Sequence, residues 1–324
     1  MKIDVFSHIL PERYFEALQK KARAGVDFTE LAPWTRANAA LSQVDLRLRV
    51  MARHPDVLQV LTVAAPPLEE VVSPGDAVEL AAMANDEMAE LVARYPDKFV
   101  AAVACLPMSD IDAAVREADR AITQLNFRGV QVYTNNGGEP LDSPKFRPLY
   151  ERMIQHDLPI WIHPWDSPIM GSPARSLPEA AREWVPRPCR AAFGWEFEMS
   201  VSMMRLVLAG VFEDYPSIKF ITHHCGGMVP FFERRIHVGY QVEQFRKFYN
   251  DTAVYGNTAA LMCGYAFFGA DRLLFGTDAP LGTGRQGYGN TLGTIRSIER
   301  MDVAEADKEK IFEGNAMRLL KLLI

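Results

Sequence analysis

The chain has 324 residues, with 35 basic and 41 acidic side chains and a formal net charge of −6. Because it is mildly acidic and has no run of Lys or Arg, we expect no nucleic-acid partner. No apolar run reaches the length of a membrane span, so we expect no membrane association. The first residues form a strand pattern without a basic and apolar leader, which favours a cytoplasmic protein.

The four cysteines are widely spaced and form no C-x-x-C pair. This spacing argues against a disulfide scaffold or a zinc ribbon and agrees with a reducing compartment. The chain is long enough to bury a large core, and it shows no internal repeat and no low-complexity linker. We therefore predict one domain over residues 1–324.

Strand patterns alternate with helical patterns along the chain. The predicted strands lie near residues 2–7, 57–63, 99–106, 128–133, 158–163, 218–224, 251–255 and 272–278. Amphipathic patterns predict helices near residues 42–54, 76–95, 109–124, 145–156, 199–212, 229–248 and 258–268. This alternation is typical of an α/β fold with a parallel sheet, and eight strands predict a closed (β/α)₈ TIM barrel.

Two further segments complete the predicted architecture. Residues 166–188 contain five prolines and indicate an insertion after strand five. Residues 291–324 are predicted to form C-terminal helices. No G-x-G-x-x-G follows the first strand and no G-x-x-x-x-G-K-[ST] occurs, so the sequence lacks the signatures of a dinucleotide site and of a P-loop.

Four predicted strands end in a side chain that can bind a metal or carry a proton: His8, His163, His224 and Asp278. In a barrel these ends meet at one mouth, where catalytic groups collect. Imidazoles with a carboxylate form the ligand set of a divalent metal such as zinc, and a further histidine can transfer protons. The alternative is local: His8 could cap its strand, and Asp278 the following turn. His223 and His224 are neighbours, and strand alternation lets only one of them face the interior.

Four segments resemble the amidohydrolase superfamily, within it the branch of aminocarboxymuconate semialdehyde and γ-resorcylate decarboxylases: IDVFSH (3–8), PIWIHPWD (159–166), HCGG (224–227) and FGTDAP (275–280). The resemblance implies that His8, His163 and Asp278 bind a divalent metal, with zinc expected and manganese as the alternative. It implies that His224 is the acid/base residue, which leaves His223 structural. The first ligand of the family's H-x-H pair falls on Phe6, which cannot coordinate a metal. Three ligands with water suffice for a catalytic zinc site, so we expect a metal that is bound more weakly, and the alternative is a barrel that has lost it.

The same resemblance implies a small carboxylate substrate and a homodimer. Arg235 matches the family arginine that reaches across the dimer interface to the substrate carboxylate. Arg47 is a second candidate, since a guanidinium binds a carboxylate through two hydrogen bonds. Trp165 is a candidate pocket wall. The alternatives are surface ion pairs for the arginines and core packing for Trp165.

We therefore expect a non-oxidative decarboxylase of a small aromatic or unsaturated carboxylic acid. The metal orients the substrate and acts as a Lewis acid, and His224, or Asp278 in a second role, delivers the proton. One alternative is a metal-dependent hydrolase of an ester, lactone or amide. Another is a catalytically inactive ligand-binding barrel that has lost its metal, and Phe6 is its main support.

Overall fold

Eight parallel strands form the centre of the molecule. The structure, a computed structural model, describes residues 1–28, 32–166, 190–237, 239–282, 286 and 288–323. Within these residues the barrel strands β1 to β8 are Lys2–Ile9, Val57–Val63, Phe99–Ala102, Val130–Tyr133, Ile160–His163, Phe220–Thr222, Tyr249–Asp251 and Leu273–Leu274. Every paired neighbour among them runs parallel, as predicted.

Backbone hydrogen bonds join the two groups of strands, β1–β3 and β4–β8, at both edges. On one side, the Gln131 amide donates to the Ala104 carbonyl at 2.9 Å. On the other side, the Val5 amide donates to the Phe275 carbonyl at 2.9 Å, and the Asp278 amide to the Phe6 carbonyl at 3.1 Å. The predicted (β/α)₈ barrel is confirmed.

Helices separate the strands. The α-helices of seven residues or more are Glu12–Lys21, Val44–Met51, Pro74–Arg94, Ile111–Thr123, Arg147–His156, Trp195–Leu208, Thr258–Phe268 and Tyr288–Glu299. Shorter ones are Trp34–Ala37, Leu68–Val71, Val211–Asp214, Glu233–His237, Val242–Phe245, Glu305–Glu309 and Asn315–Leu320. None of the helices in the described residues has the length and apolar character to cross a membrane.

One helix prediction needs correction. Within the described residues, the segment predicted as one helix at 229–248 contains two short helices, and Gly239 between them is a poor helix former. The helix Glu12–Lys21 lies in a segment for which no helix was predicted. The C-terminal helices are present, and the predicted insertion at 166–188 lies outside the described residues except for Asp166.

Apolar side chains fill the amino-terminal end of the barrel, which we call the floor. Its buried members are Ile3, Val5, Phe6, Val60, Ala101, Val103, Trp161, Ile221, Leu274, Ala316, Leu319, Leu320 and Leu322. Trp161 satisfies its indole nitrogen by donating to the Val5 carbonyl at 3.0 Å. The floor is packed with apolar groups, and the buried histidines lie at the opposite end, which we call the mouth.

Candidate metal centre

The mouth of the barrel brings five buried ionisable side chains together: His8, His163, His223, His224 and Asp278. We call them the histidine cluster. The ligand atoms of His8, His163 and His223 lie within 4.8 Å of one another, and so do those of His223, His224 and Asp278. Strand ends therefore converge as the sequence predicted, with His223 as an additional member.

Two imidazoles of the cluster have their tautomer fixed by acceptors behind them. His163 Nδ1 lies 2.7 Å from the Pro164 carbonyl oxygen, and His223 Nδ1 pairs with the buried carboxylate of Asp251. A carbonyl and a carboxylate only accept, so each Nδ1 carries a hydrogen, and Nε2 is the nitrogen left available to a metal. Metal-binding histidines are held in this way.

Asp278 is the carboxylate on which two imidazoles converge. Its Oδ1 lies 3.1 Å from His8 Nε2 and 3.5 Å from His223 Nε2, and its Oδ2 accepts from the Tyr255 hydroxyl at 2.9 Å. Within the described residues neither Nε2 makes a hydrogen bond of acceptable angle. Buried nitrogens without a hydrogen bond are costly, and a cation bound by both nitrogens and by Asp278 Oδ1 would satisfy them. The residues present therefore fit a divalent metal.

Electrostatics at the mouth agree with a cation site. Burial lowers the pKa of His8, and it lowers the pKa of His163 further. Burial alone would raise the pKa of Asp278, but the facing His223 and His8 hold it well below its usual range. Burial opposes charge on His223 as well, yet Asp251 and Asp278 raise its pKa to about 10. Two buried carboxylates thus face the imidazoles and attract positive charge.

Phe6 separates this polar group from the floor. Its side chain is buried, and its ring stacks on His223 with centroids 3.9 Å apart and planes at 21°. Gly276 makes this arrangement possible, because a Cβ there would lie 2.7 Å from the Cβ of Asp251 and 3.4 Å from that of Phe6. The glycine of the FGTDAP segment therefore leaves space for the two side chains that support His223.

His224 has a different partner from its neighbour. Its Nδ1 lies 3.1 Å from the carboxylate of Glu196, at the start of the helix Trp195–Leu208. The chain from His224 to Gly227 keeps positive φ angles, and a Cβ on Gly227 would lie 2.6 Å from the Glu196 carbonyl oxygen. This turn brings the helix against His224.

The expectation that only one of the neighbours His223 and His224 faces the interior is wrong. Alternation of side chains applies within a strand, but β6 ends at Thr222 and the backbone then turns. The rings of His223 and His224 are 4.0 Å apart and both reach the mouth. The turn overrides the alternation on which that expectation rested.

Arg47 is not placed as a substrate contact. Its side chain is 2% exposed and donates to the Ser7 hydroxyl at 2.8 Å, the Gln59 side-chain oxygen at 2.9 Å and the His8 carbonyl at 2.5 Å. These bonds use the guanidinium inside the protein. Arg47 therefore holds the end of β1 and positions His8 from behind.

The two remaining predicted substrate contacts differ in exposure: Trp165 is buried and Arg235 is exposed. Trp165 is buried and packs edge-on against Tyr133 at 6.2 Å, and the Tyr133 ring in turn contacts His163 at 5.4 Å. Trp165 thus supports the wall of the mouth through Tyr133. Arg235 is exposed on the short helix Glu233–His237, so within one chain it is not buried with the histidine cluster.

Sequence reasoning missed several residues of the mouth. Asp251 ends β7, but the predicted strand at 251–255 placed it at the beginning. Tyr133 ends β4, and the strand-end rule applied to that strand would have identified it. Trp195 lies 6.4 Å from both the His163 and the His224 rings, and no local pattern signals this contact.

Comparison with known proteins identifies the family. A family model described as Amidohydrolase matches residues 6–322. The chain belongs to the amidohydrolase family. Its relatives include γ-resorcylate decarboxylase from Rhizobium sp. (strain MTP-10005), 31% identical over 86% of this chain and 87% of that protein. The 2-amino-3-carboxymuconate-6-semialdehyde decarboxylase of Dictyostelium discoideum is 26% identical over 99% of this chain and 92% of that protein.

Solved structures of the amidohydrolase family share the fold over nearly the whole chain. The 2,6-dihydroxybenzoate decarboxylase complexed with 2,6-dihydroxybenzoate has a TM-score of 0.80 at 28% identity, covering 99% of this chain and 98% of that one. A dihydroxybenzoic acid decarboxylase from Polaromonas sp. JS666, with bound manganese and the inhibitor 2-nitroresorcinol, has a TM-score of 0.78 at 28% identity, covering 99% and 96%. The family and branch predicted from the sequence are confirmed.

Proposed function

We propose that this amidohydrolase is a metal-dependent, non-oxidative decarboxylase of a small aromatic carboxylic acid. The observation that carries the proposal is the convergence of His8, His163 and Asp278 at the mouth, with His224 beside them. The γ-resorcylate and 2,6-dihydroxybenzoate decarboxylases compared above act on small aromatic acids, as their names state. A divalent ion held by these three ligands would supply Lewis acidity and orient the carboxylate.

The protein groups around the metal ligands bind the ring and move the proton. Tyr133 and Trp195 lie edge-on to the ring of His163, and we place the planar substrate against these aromatic side chains. His224 protonates the ring carbon that carries the carboxylate. The bond to the carboxylate carbon then breaks, its electron pair stays with the ring, and carbon dioxide leaves. Glu196, whose carboxylate lies 3.1 Å from His224 Nδ1, orients the imidazole.

His224 is favoured over Asp278 as the proton donor. The Asp278 pKa is held well below its usual range by His223 and His8, and Tyr255 donates to its second oxygen. A carboxyl that stays ionised cannot donate a proton near neutral pH. Asp278 therefore remains a ligand and an electrostatic partner.

The metal, assembly and location are further parts of this proposal. Imidazole ligands favour zinc, and the structure of the Polaromonas enzyme favours manganese as the alternative. A homodimer is supported by Phe231, 78% exposed, and Phe232, 40% exposed, which lie beside Arg235. In a dimer Arg235 would bind the carboxylate of the substrate across the interface. Free thiols at Cys105, Cys225 and Cys263 support a reducing, cytoplasmic location.

The test is product analysis. Purified protein loaded with Zn²⁺ or Mn²⁺ is incubated with a panel of hydroxybenzoic acids and with ester, lactone and amide substrates, and carbon dioxide and organic products are measured. We expect carbon dioxide and the decarboxylated arene, and a loss of about 10²- to 10⁴-fold in the His224→Asn variant. Formation of acid with alcohol or amine instead would establish the hydrolase. No turnover of any substrate by the metal-loaded protein would favour the inactive barrel.

A further inference from the structure

We infer that His223, oriented by Asp251, is a ligand of the metal and takes over the coordination that Phe6 cannot provide. The inference rests on the proposed metal-dependent function and goes beyond it in assigning a fourth protein ligand. It begins from position 6, where an apolar ring occupies the place of a potential ligand on β1. Three ligands remain without it, and His223 supplies a fourth from the end of β6.

The first support is the position of the His223 Nε2 atom. It lies 3.5 Å from Asp278 Oδ1 and within 4.8 Å of the ligand atoms of His8 and His163. The side chain is fully buried, and its Nε2 has no hydrogen-bond partner within the described residues. The atom is therefore aimed at the point where the other ligands converge.

The second support is the carboxylate behind the ring. Asp251 pairs with His223 Nδ1, and its other oxygen accepts from the Cys225 amide at 3.1 Å and the Ala253 amide at 3.0 Å. These bonds fix the carboxylate and hence the imidazole plane and tautomer. A carboxylate, an imidazole and a metal in line form a recurrent unit that raises ligand basicity.

The third support is the contrast between the two adjacent histidines. His224 is paired with Glu196, whose side chain is 29% exposed, whereas the side chains of His223 and Asp251 are both 0% exposed. A proton donor must be recharged from solvent after each turnover, and the partly exposed pair permits this. A ligand needs a fixed and dry environment, which the stacked Phe6 ring provides for His223. His223 is therefore suited to metal coordination and His224 to proton transfer.

The experiment measures metal affinity in the full-length protein. Zn²⁺ and Mn²⁺ dissociation constants are determined by competition with a chromophoric chelator for the wild type and for His223→Gln, His224→Gln, Asp251→Asn and His156→Gln. His156 ends the helix Arg147–His156 and is paired with Asp119 outside the histidine cluster, so its variant controls for the loss of any histidine. Circular dichroism checks that each variant is folded.

We expect His223→Gln to weaken binding by at least about 100-fold and Asp251→Asn by about 10- to 100-fold. The asparagine can keep both backbone hydrogen bonds, but its amide donates towards Nδ1 and so moves the imidazole hydrogen onto Nε2. His224→Gln and His156→Gln should stay within about threefold of the wild type. The visible spectrum of the Co²⁺-loaded protein should change in His223→Gln and not in His224→Gln.

A rescue variant makes the test independent of folding losses. In Phe6→His/His223→Gln, the new imidazole on β1 can supply the missing coordination, and we expect at least about tenfold of the lost affinity to return. Unchanged affinity and an unchanged Co²⁺ spectrum in His223→Gln would overturn the inference. An equal loss in His224→Gln would overturn it as well, because the effect would not be specific to His223.

Carbon dioxide release, measured on the same proteins, separates this inference from the proposed function. If metal affinity depends on His223 but no acid is decarboxylated, the ligand assignment holds and the proposed reaction is wrong. If the protein decarboxylates an acid but its metal affinity does not depend on His223, the proposed reaction holds and the ligand assignment is wrong. A loss of activity in His223→Gln would then make His223 a second acid/base residue.

Discussion

The two ends of the barrel are built from the same strands and have opposite characters. At the floor, β1, β5 and β6 contribute Val5, Trp161 and Ile221, all fully buried among apolar neighbours. A few residues further on, the same strands lead to the imidazoles of the mouth. The difference shows that strand direction decides function in this fold: the amino end stabilises the protein and the carboxyl end carries the chemistry.

Phe6 is the boundary between the two ends. It belongs to the apolar floor, yet its ring lies 3.9 Å from His223 and 5.6 Å from His8. A ligand at this position would extend the mouth downward by one layer. Because position 6 is phenylalanine, the apolar floor reaches the ring of His223, and the metal must be bound by side chains nearer the mouth. His223 is the additional ligand that we infer among them.

The largest effect is expected from Asp278→Asn at the mouth. The neutral amide cannot balance the charge of a metal ion, and we expect carbon dioxide release to fall by about 10³-fold. Asp271→Asn, on an exposed carboxylate paired with Lys310, is the matched control and should retain activity. Full activity of the Asp278→Asn variant would show that the Asp278 carboxylate is not required at the metal site.

Next in size is a floor substitution, Leu320→Ala. The side chain is fully buried, and its truncation should lower the free energy of unfolding by about 2–5 kcal/mol, measured by urea denaturation. Leu323→Ala, at a position 96% exposed, should change it by less than about 0.5 kcal/mol. Metal affinity of the folded Leu320→Ala protein should be unchanged. A large loss of affinity would show that the floor and mouth are not independent.

The substitution Gly276→Ala lies at the boundary between the floor and the mouth and should affect both protein stability and metal affinity. The added methyl group would press on Asp251 and Phe6, and we expect a loss of about 1–3 kcal/mol in unfolding free energy together with weaker metal binding. Gly75→Ala, in the helix Pro74–Arg94 with no atom near its added methyl, is the control and should be neutral or slightly stabilising. A Gly276→Ala protein as stable as the control would contradict the close packing beneath His223.

The smallest effect is expected from Tyr255→Phe. Removing the hydroxyl leaves Asp278 Oδ2 without its donor, so the carboxylate is less well oriented and metal affinity should fall by about tenfold. Tyr240→Phe is a matched control, since both tyrosines are 48% exposed. Equal affinities of the two variants would show that the Tyr255 contact does not orient the ligand.

The sequence predicted three residues of the mouth because their signals are local, although β8 ends at Leu274, before Asp278. Apolar runs stopped by Pro11, Pro164 and Pro280 place His8, His163 and Asp278 at the mouth. The remaining members depend on geometry between elements. Asp251 was missed because the predicted strand begins where the observed strand ends. His223 was missed because the strand ends at Thr222, so side chains no longer alternate between the two faces after it.

Arg47 illustrates what sequence patterns cannot show. Its helix register gives no sign that the guanidinium is buried against β1 and β2, where it binds Ser7 and Gln59. These partners become neighbours only after the barrel closes. The general fold and the kind of chemistry therefore follow from the order of residues, whereas the roles of the supporting groups follow from packing.

Anomalous scattering from crystals of the protein loaded with Zn²⁺ or Mn²⁺ tests the central claim most directly. We predict a single peak at the mouth, about 2.0–2.2 Å from Nε2 of His8, His163 and His223 and from an oxygen of Asp278 for zinc. His224 should lie outside the coordination sphere, beside Glu196. A peak bound by His224 instead of His223, or no peak at the mouth after loading, would contradict the account.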